Sequence, residues 1–273
     1  MAAKQGFGSV FSAEMRRVAL KPRRIITCAV FAVAAVVLFI GMTAVLDWGA
    51  NEVSNQGVEG VEGAESLGAL PAFLGFGAPL SLISFCFGIY AAAFAARDHS
   101  DGTIRATLLL VPDRIRLFLA RMLPWVVLAA AFSFLAFAVI AVIGIGRAGT
   151  GEAATIVLQG LLATVSSVFT VIVGFCCGTV TKRGSLSVFL FLGLFILIPM
   201  VVGMASGFGP DILQAIVKGI DHAMPGVAFG ALPDILPLAK ATTDTWISLG
   251  VSLVWAIGAP IVSCILFKTR GTL

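Results

Sequence analysis

The chain has 273 residues, 59% hydrophobic and only 12% charged, where a soluble domain carries about 25% charged residues. With a mean hydropathy of +1.05, this excludes a soluble globular enzyme and a disordered chain, and leaves an integral membrane protein with little else attached. The pI near 9.0 raises nucleic acid as a partner, until the basic residues are placed along the chain.

Six apolar runs of membrane length are predicted: 25–46, 71–96, 122–146, 154–181, 185–206 and 245–267. None contains a charge. The fold class expected is therefore an all-α integral membrane protein with six transmembrane helices in one domain, 1–273. Suppose the N-terminus is cytoplasmic. Fifteen of the 18 basic residues then fall inside, all but Arg147, Lys218 and Lys240. That bias predicts both termini inside. It also accounts for the pI through an anionic inner leaflet and membrane lipids rather than nucleic acid.

Before the first span, Phe7, Val10, Phe11, Met15 and Val18 gather on one helical face, with Arg16, Arg17 and Lys21 on or near the other. This predicts a basic amphipathic helix over 7–22, lying on the inner leaflet. Glu14 projects into the apolar stripe. Two readings stay open: an i,i+3 pair with Arg17 while the side chain snorkels, or a reach to a basic residue of the 97–121 stretch. The run 25–46 is too long for a signal-peptide core. Residues 51–70 read as a Gly- and Glu-rich outer loop, with Pro71 starting the second span and Pro79 free to kink it.

The stretch 97–121 carries eight charges in 25 residues between two uncharged runs. Ser100 or Asp101 is expected to cap a helix over Thr103–Val111, Pro112 to end it, and Asp113 to cap the next. Such a helix is ~14 Å long at 1.5 Å per residue. Ile104, Leu108 and Val111 form a stripe expected to face neither lipid nor a core of its own, so that another molecule must cover it.

The fourth run contains Gly174 and Gly178, a small-xxx-small pattern that serves packing within the subunit or dimerisation. Lys182 and Arg183 form a tight inner turn. Over 210–238, an apolar face of Ile212, Leu213, Ile216, Val217 and Ile220 is followed by pieces broken at Pro225, Pro233 and Pro237. These pieces should lie in the outer interface or dip in and return, sheltered by protein.

Cys28, Cys86, Cys176, Cys177 and Cys264 all fall within predicted spans, with no disulfide or metal spacing, and read as small apolar residues. His99 and His222 are expected on opposite sides of the membrane, His99 solvated beside Asp98 and Asp101. No phosphate loop, HExxH or GxSxG occurs, and an intramembrane enzyme would need paired groups inside the bilayer. Spans without charge lack an ion or proton relay, which favours an amphipathic or lipid-like cargo.

The order FSAEMRRVALKPRR, six spans, and D-G-T-I-R-A-T-L-L-L-V-P-D-R running on to Ala120-Arg121 resembles the permease subunits of type-2 ATP-binding-cassette exporters. Their loop reads E-x-x-x-G-T-x-x-x-L-x-x-P-x-x-R…A-K. Asp98 stands here for Glu and Arg121 for Lys, each keeping its charge. The resemblance implies that Asp101 to Pro112 is a cytoplasmic coupling helix on which a separate ATPase docks. Asp101, Gly102, Thr103, Ile104, Arg105, Leu108, Val111, Pro112, Arg114 and Arg121 would carry the coupling. Phe7, Phe11, Glu14, Arg16 and Arg17 would form the interfacial helix, and Ile216, Ile220, Pro225 and Pro233 an outer gate. Arg105, Arg114 and Arg116 would make salt bridges, bind anionic lipid or simply anchor the inner face.

It further implies no cofactor and no catalysis in this chain, with ATP and Mg held by the partner ATPase. Two permease copies, identical or not, would sit in a bacterial plasma membrane and export a hydrophobic drug, a lipid-linked molecule or a peptide antibiotic. The alternative is a non-transporting scaffold that recruits a cytoplasmic partner through the same short helix.

Overall fold

The computed structural model describes residues 6–19, 21–55, 64–110, 113–148, 153–205, 219–220, 222–232 and 243–269. Among them every element is helical: α1 (Phe7–Ala19), α2 (Pro22–Asn55), α3 (Ala64–Ser100), α4 (Thr103–Leu110), α5 (Arg114–Ala148), α6 (Ala153–Thr181), α7 (Gly184–Leu192), a π turn (Gly193–Leu197), α8 (Ile198–Ala205), α9 (Pro225–Gly230) and α10 (Thr243–Thr269). Among the described residues five helices are long and apolar enough to cross a membrane: Pro22–Val45, Arg114–Ile143, Ala153–Thr181, Gly184–Val202 and Trp246–Thr269. The run expected at 71–96 lies within the 37-residue α3 but is not one of those five. The loop expected over 51–70 is shorter than the sequence suggests, because α2 continues to Asn55 and α3 starts at Ala64.

The core is built around α6. Its C-terminal half carries Gly174 and Gly178, and the backbone of α3 lies directly on them. A Cβ at Gly174 would collide with the Gly88 carbonyl, and one at Gly178 with the Ala92 carbonyl. The small-xxx-small pattern therefore serves packing within the subunit. Apolar spans have no water to expel from between them, so close backbone approach and buried hydroxyl bonds hold such helices together. Ser84 and Ser167 bond across α3 and α6 at 2.5 Å, and Ser187 of α7 donates to the Ala92 carbonyl at 3.2 Å. Trp125 of α5, fully buried, fills the space beside Tyr90 and Phe94 at centroid distances of 5.3 and 4.8 Å.

The fifth apolar run is not one regular helix. Proline has no N–H, and its ring displaces the carbonyl four residues earlier. Pro199 thereby releases the Phe195 carbonyl, and the ladder widens to a π turn in which the Ile198 N–H donates to Gly193. The released carbonyl lies against Gly226 of α9, where a Cβ would clash with it.

The described part of the 210–238 stretch packs against the middle of its neighbouring helices. Ser166, about midway along α6, donates to the Phe229 carbonyl at 2.7 Å, and Trp255, near the middle of α10, donates to the Ala223 carbonyl at 2.8 Å. Pro225, Ala228, Phe229 and Leu232 are buried. Two backbone carbonyls of this segment are thus answered by side chains from its neighbours, as irregular backbone at membrane depth would require.

Candidate functional site

The site lies where α1, α3, α4 and α5 converge. On α1, Val10, Glu14 and Val18 are spaced i, i+4, i+8 and all are buried, because that face packs against α5. The helix expected on the leaflet surface therefore spends its apolar stripe largely on its own chain, while Arg16 stays exposed and Phe7 partly so. Glu14 does not snorkel. Both expected partners are present: Arg17 Nη1 lies 3.3 Å from Glu14 Oε2, and Arg121 Nε lies 3.3 Å from Glu14 Oε1.

Asp98, at the end of α3, completes the arrangement. Arg17 Nη2 donates to Asp98 Oδ1 at 3.0 Å, and Arg121 Nη1 lies 3.4 Å from Asp98 Oδ2. The four groups form a closed ring in the order Glu14, Arg17, Asp98, Arg121, with a net charge of zero. Burying charges is costly unless each is matched, and here each carboxylate faces two guanidinium groups. Burial opposes charge on Arg17, but the Asp98 and Glu14 carboxylates outweigh it and raise its pKa above the ordinary value.

Arg121, only 4% exposed, carries the ring into α4. Its Nη2 donates to Thr107 Oγ1 at 2.8 Å. At the start of α4, Thr103 Oγ1 donates to the Asp98 carbonyl at 3.0 Å. Gly102 between them takes φ +68°, the left-handed turn that lets α3 stop and the chain reverse. Ser100 does not cap α4 as expected: α3 runs through it, and its hydroxyl donates to the Arg97 carbonyl at 2.9 Å. Asp113 does cap α5, its Oδ1 accepting the Arg116 N–H at 3.3 Å. Arg114 reaches across to the carbonyl of Lys268 at 3.0 Å.

The stripe on α4 needs correction. Ile104 is 5% exposed and lines a small cavity with Ala95, Phe118, Phe175 and Phe267, so it does have a core of its own chain. Leu109, one position off that stripe, is 87% exposed. Leu108 is half-buried and Arg105 falls on α4, whereas Val111 and Pro112 lie outside the described residues. Of the expected gate, Pro225 is buried at the start of α9 and Ile220 is exposed; Ile216 and Pro233 lie outside the described residues.

His99 is only partly exposed. Its ring meets Phe267 edge-on at 5.9 Å, and its buried Nε2 has no hydrogen-bond partner among the described residues. Burial first, then the charges of Lys182 and Arg121, push its pKa down to about 4. The imidazole is therefore neutral at pH 7.

Two contributors were missed in the sequence, Thr107 and His99 as a packed group. Thr107 stands three residues after Ile104 and four after Thr103, and donates to their carbonyls. Nothing in a one-dimensional pattern distinguishes that from an ordinary helical threonine. Chemically, the junction holds no activated nucleophile or metal-binding group of three among the described residues; it fixes one short helix to three others. A family model described as ABC-2 family transporter protein matches residues 17–199. No curated protein matches the chain.

Proposed function

Because the chain belongs to the ABC-2 transporter family, we propose that it is the membrane-spanning permease subunit of an ATP-driven exporter, with α4 as its cytoplasmic coupling helix. The observation that carries this reading is the charged ring. Through Arg121 and Thr107 it fastens α4 to α1, α3 and α5, so a push on α4 reaches the spans as a rigid-body movement instead of being absorbed in a loop. A separate ATPase, which holds ATP and Mg, would dock on the exposed face of α4 around Leu109. Asp101, Leu108 and Arg105 lie on or beside that helix and would flank the contact.

In this reading α3 is the additional span and both termini are cytoplasmic, in the plasma membrane of a bacterium. A second permease copy, identical or not, completes the exporter. The absence of charge from the six apolar runs favours a hydrophobic or amphipathic cargo, such as a drug, a lipid-linked molecule or a peptide antibiotic. The dipping segment around α9, with Pro225 and Ile220, would gate the outer exit. Co-expression with an ATPase carrying phosphate-loop motifs tests the assignment. The expected result is co-purification that is lost in Leu109→Asp, together with ATP hydrolysis stimulated by the cargo. A chain that never associates with an ATPase overturns the proposal.

A further inference from the structure

The first residue of α5 and the last turn of α10 meet. Both helices are long and apolar enough to cross a bilayer, over Arg114–Ile143 and Trp246–Thr269, so the start of one span lies beside the end of another. Arg114 Nη1 joins them by donating to the Lys268 carbonyl at 3.0 Å. At this meeting point Asp113, Arg114, Ile115 and Lys268 line an open pocket of about 470 Å³. At the ~30 Å³ a water occupies in the liquid, that is room for roughly fifteen waters, enough for a phosphodiester and its ester oxygens.

The charges lining this pocket do not balance. Asp113 is committed to Arg116: its Oδ2 lies 2.8 Å from Arg116 Nε, and its Oδ1 accepts the Arg116 N–H. Arg114 and Lys268 form no ion pair among the described residues. The bond to the Lys268 carbonyl occupies one nitrogen of Arg114 and leaves the rest of its fork free, while Lys268 is exposed. Neither 114–151 nor 246–273 contains an Asp or Glu. Beside the two cations lies hydrocarbon. On α10, Ile261, Ile265 and Lys268 are spaced i, i+4, i+7, so they share one face, and all three are exposed. That face passes from aliphatic to cationic over about 10 Å, at 1.5 Å per residue. Ile115, also exposed, belongs to the pocket lining itself.

We propose that this pocket binds the phosphate of an anionic phospholipid, held by Arg114 and Lys268, with an acyl chain lying along Ile265 and Ile261. Basic pockets between membrane helices suit anionic head groups. The planar guanidinium can meet two phosphate oxygens at once, and the ammonium adds a point charge. A water-soluble anion would answer the cations but leave the aliphatic strip uncovered, whereas a lipid answers both. Its phosphate would then bridge the start of α5 and the end of α10, beside the one hydrogen bond that already joins them. The inference rests on α5 and α10 crossing a bilayer. It requires neither cargo nor ATPase, so its failure and the failure of the export reading are separately visible.

Native mass spectrometry of the purified full chain is the test. The chain in detergent is titrated with phosphatidylglycerol or with phosphatidylcholine of the same acyl chains, and the first bound lipid gives an apparent Kd. Phosphatidylglycerol is expected to bind on the order of tenfold more tightly, and glycerol 3-phosphate at the same concentration to leave it in place. Arg114→Gln with Lys268→Gln should bring the two lipids to parity. Arg114→Lys with Lys268→Arg keeps both charges and should keep the preference. Arg23→Gln with Arg97→Gln removes two exposed cations elsewhere and should leave the preference unchanged. Equal affinity of the wild type for both lipids, displacement by glycerol 3-phosphate, a preference that survives the double Gln variant at the pocket, its loss in the charge-keeping variant, or an equal loss in the Arg23 and Arg97 control each overturns the proposal.

Discussion

Arg121 Nη2 and Thr107 Oγ1 are 2.8 Å apart, so a guanidinium on the shaft of α5 grips the middle of the short α4. The same guanidinium meets Glu14 and Asp98. Four elements therefore share one side chain.

Removing that side chain should be costly. Arg121→Ala leaves two buried carboxylates with Arg17 alone, and breaking a buried pair typically costs about 3–5 kcal/mol. Thermal unfolding in detergent should show a large drop in midpoint. Arg121→Lys keeps the charge but cannot fork towards Glu14, Asp98 and Thr107 together, so a smaller loss of about 1 kcal/mol is expected. An unchanged midpoint in Arg121→Ala would mean that the ring holds nothing.

Exchanging the charges of one pair should not restore stability. In Glu14→Arg combined with Arg121→Glu the net charge is preserved, yet the new arginine faces Arg17 and the new glutamate faces Asp98. The double variant should melt well below wild type; full recovery would show that Glu14 and Arg121 act as an isolated pair.

Substitutions on α4 should separate docking from integrity. Leu109→Asp changes an exposed side chain and should leave unfolding unchanged while abolishing capture of the ATPase. Ile104→Asp puts a charge among Phe118, Phe175 and Phe267 and should lower stability by several kcal/mol. Pull-down and unfolding measured side by side check both outcomes.

Acid should loosen the junction through His99. Its pKa is about 4 when packed and about 6.5 when free, so the packed state disfavours the protonated ring. The stability this contributes is intact above the free value and erodes as pH falls from about 6.5 towards 4. Midpoints measured across that window should fall in wild type and fall less in His99→Phe. Parallel curves would remove His99 from the acid response.

The close contacts of α6 and α9 are equally testable. Gly174→Val forces a side chain into the Gly88 carbonyl, and overpacking of this kind costs about 1–3 kcal/mol. Loss of a monodisperse peak on size exclusion is the expected outcome. Gly226→Ala should act similarly against Phe195, and Pro199→Ala should relieve it by returning that carbonyl to the helix.

Much of this architecture is legible from hydropathy. The bounds of α6 differ from the predicted run by one residue at its start, and the breaks around Pro112 and Asp113 place α4 and α5. Periodicity shows that one face of a helix is apolar but not which molecule covers it, which is why Ile104 reads as a docking residue and proves to be core. Glu14 is visible as an anomaly in its stripe. Its partner is 107 residues away, beyond any local pattern. Pro199 signals no obligatory π turn, since Pro124 and Pro260 sit inside α-helices without one. The depth of α9 had no signal either, since Ser166 and Trp255 reveal their acceptors only in three dimensions.

All four members of the charged ring are encoded before residue 122. During synthesis they leave the ribosome ahead of α6 to α10, so the ring can close while the rest of the polypeptide is still being made. Until Arg121 appears, Glu14 and Asp98 have only Arg17 between them, which favours keeping that face in water. Once Arg121 is present, each of the two carboxylates has a second guanidinium to face.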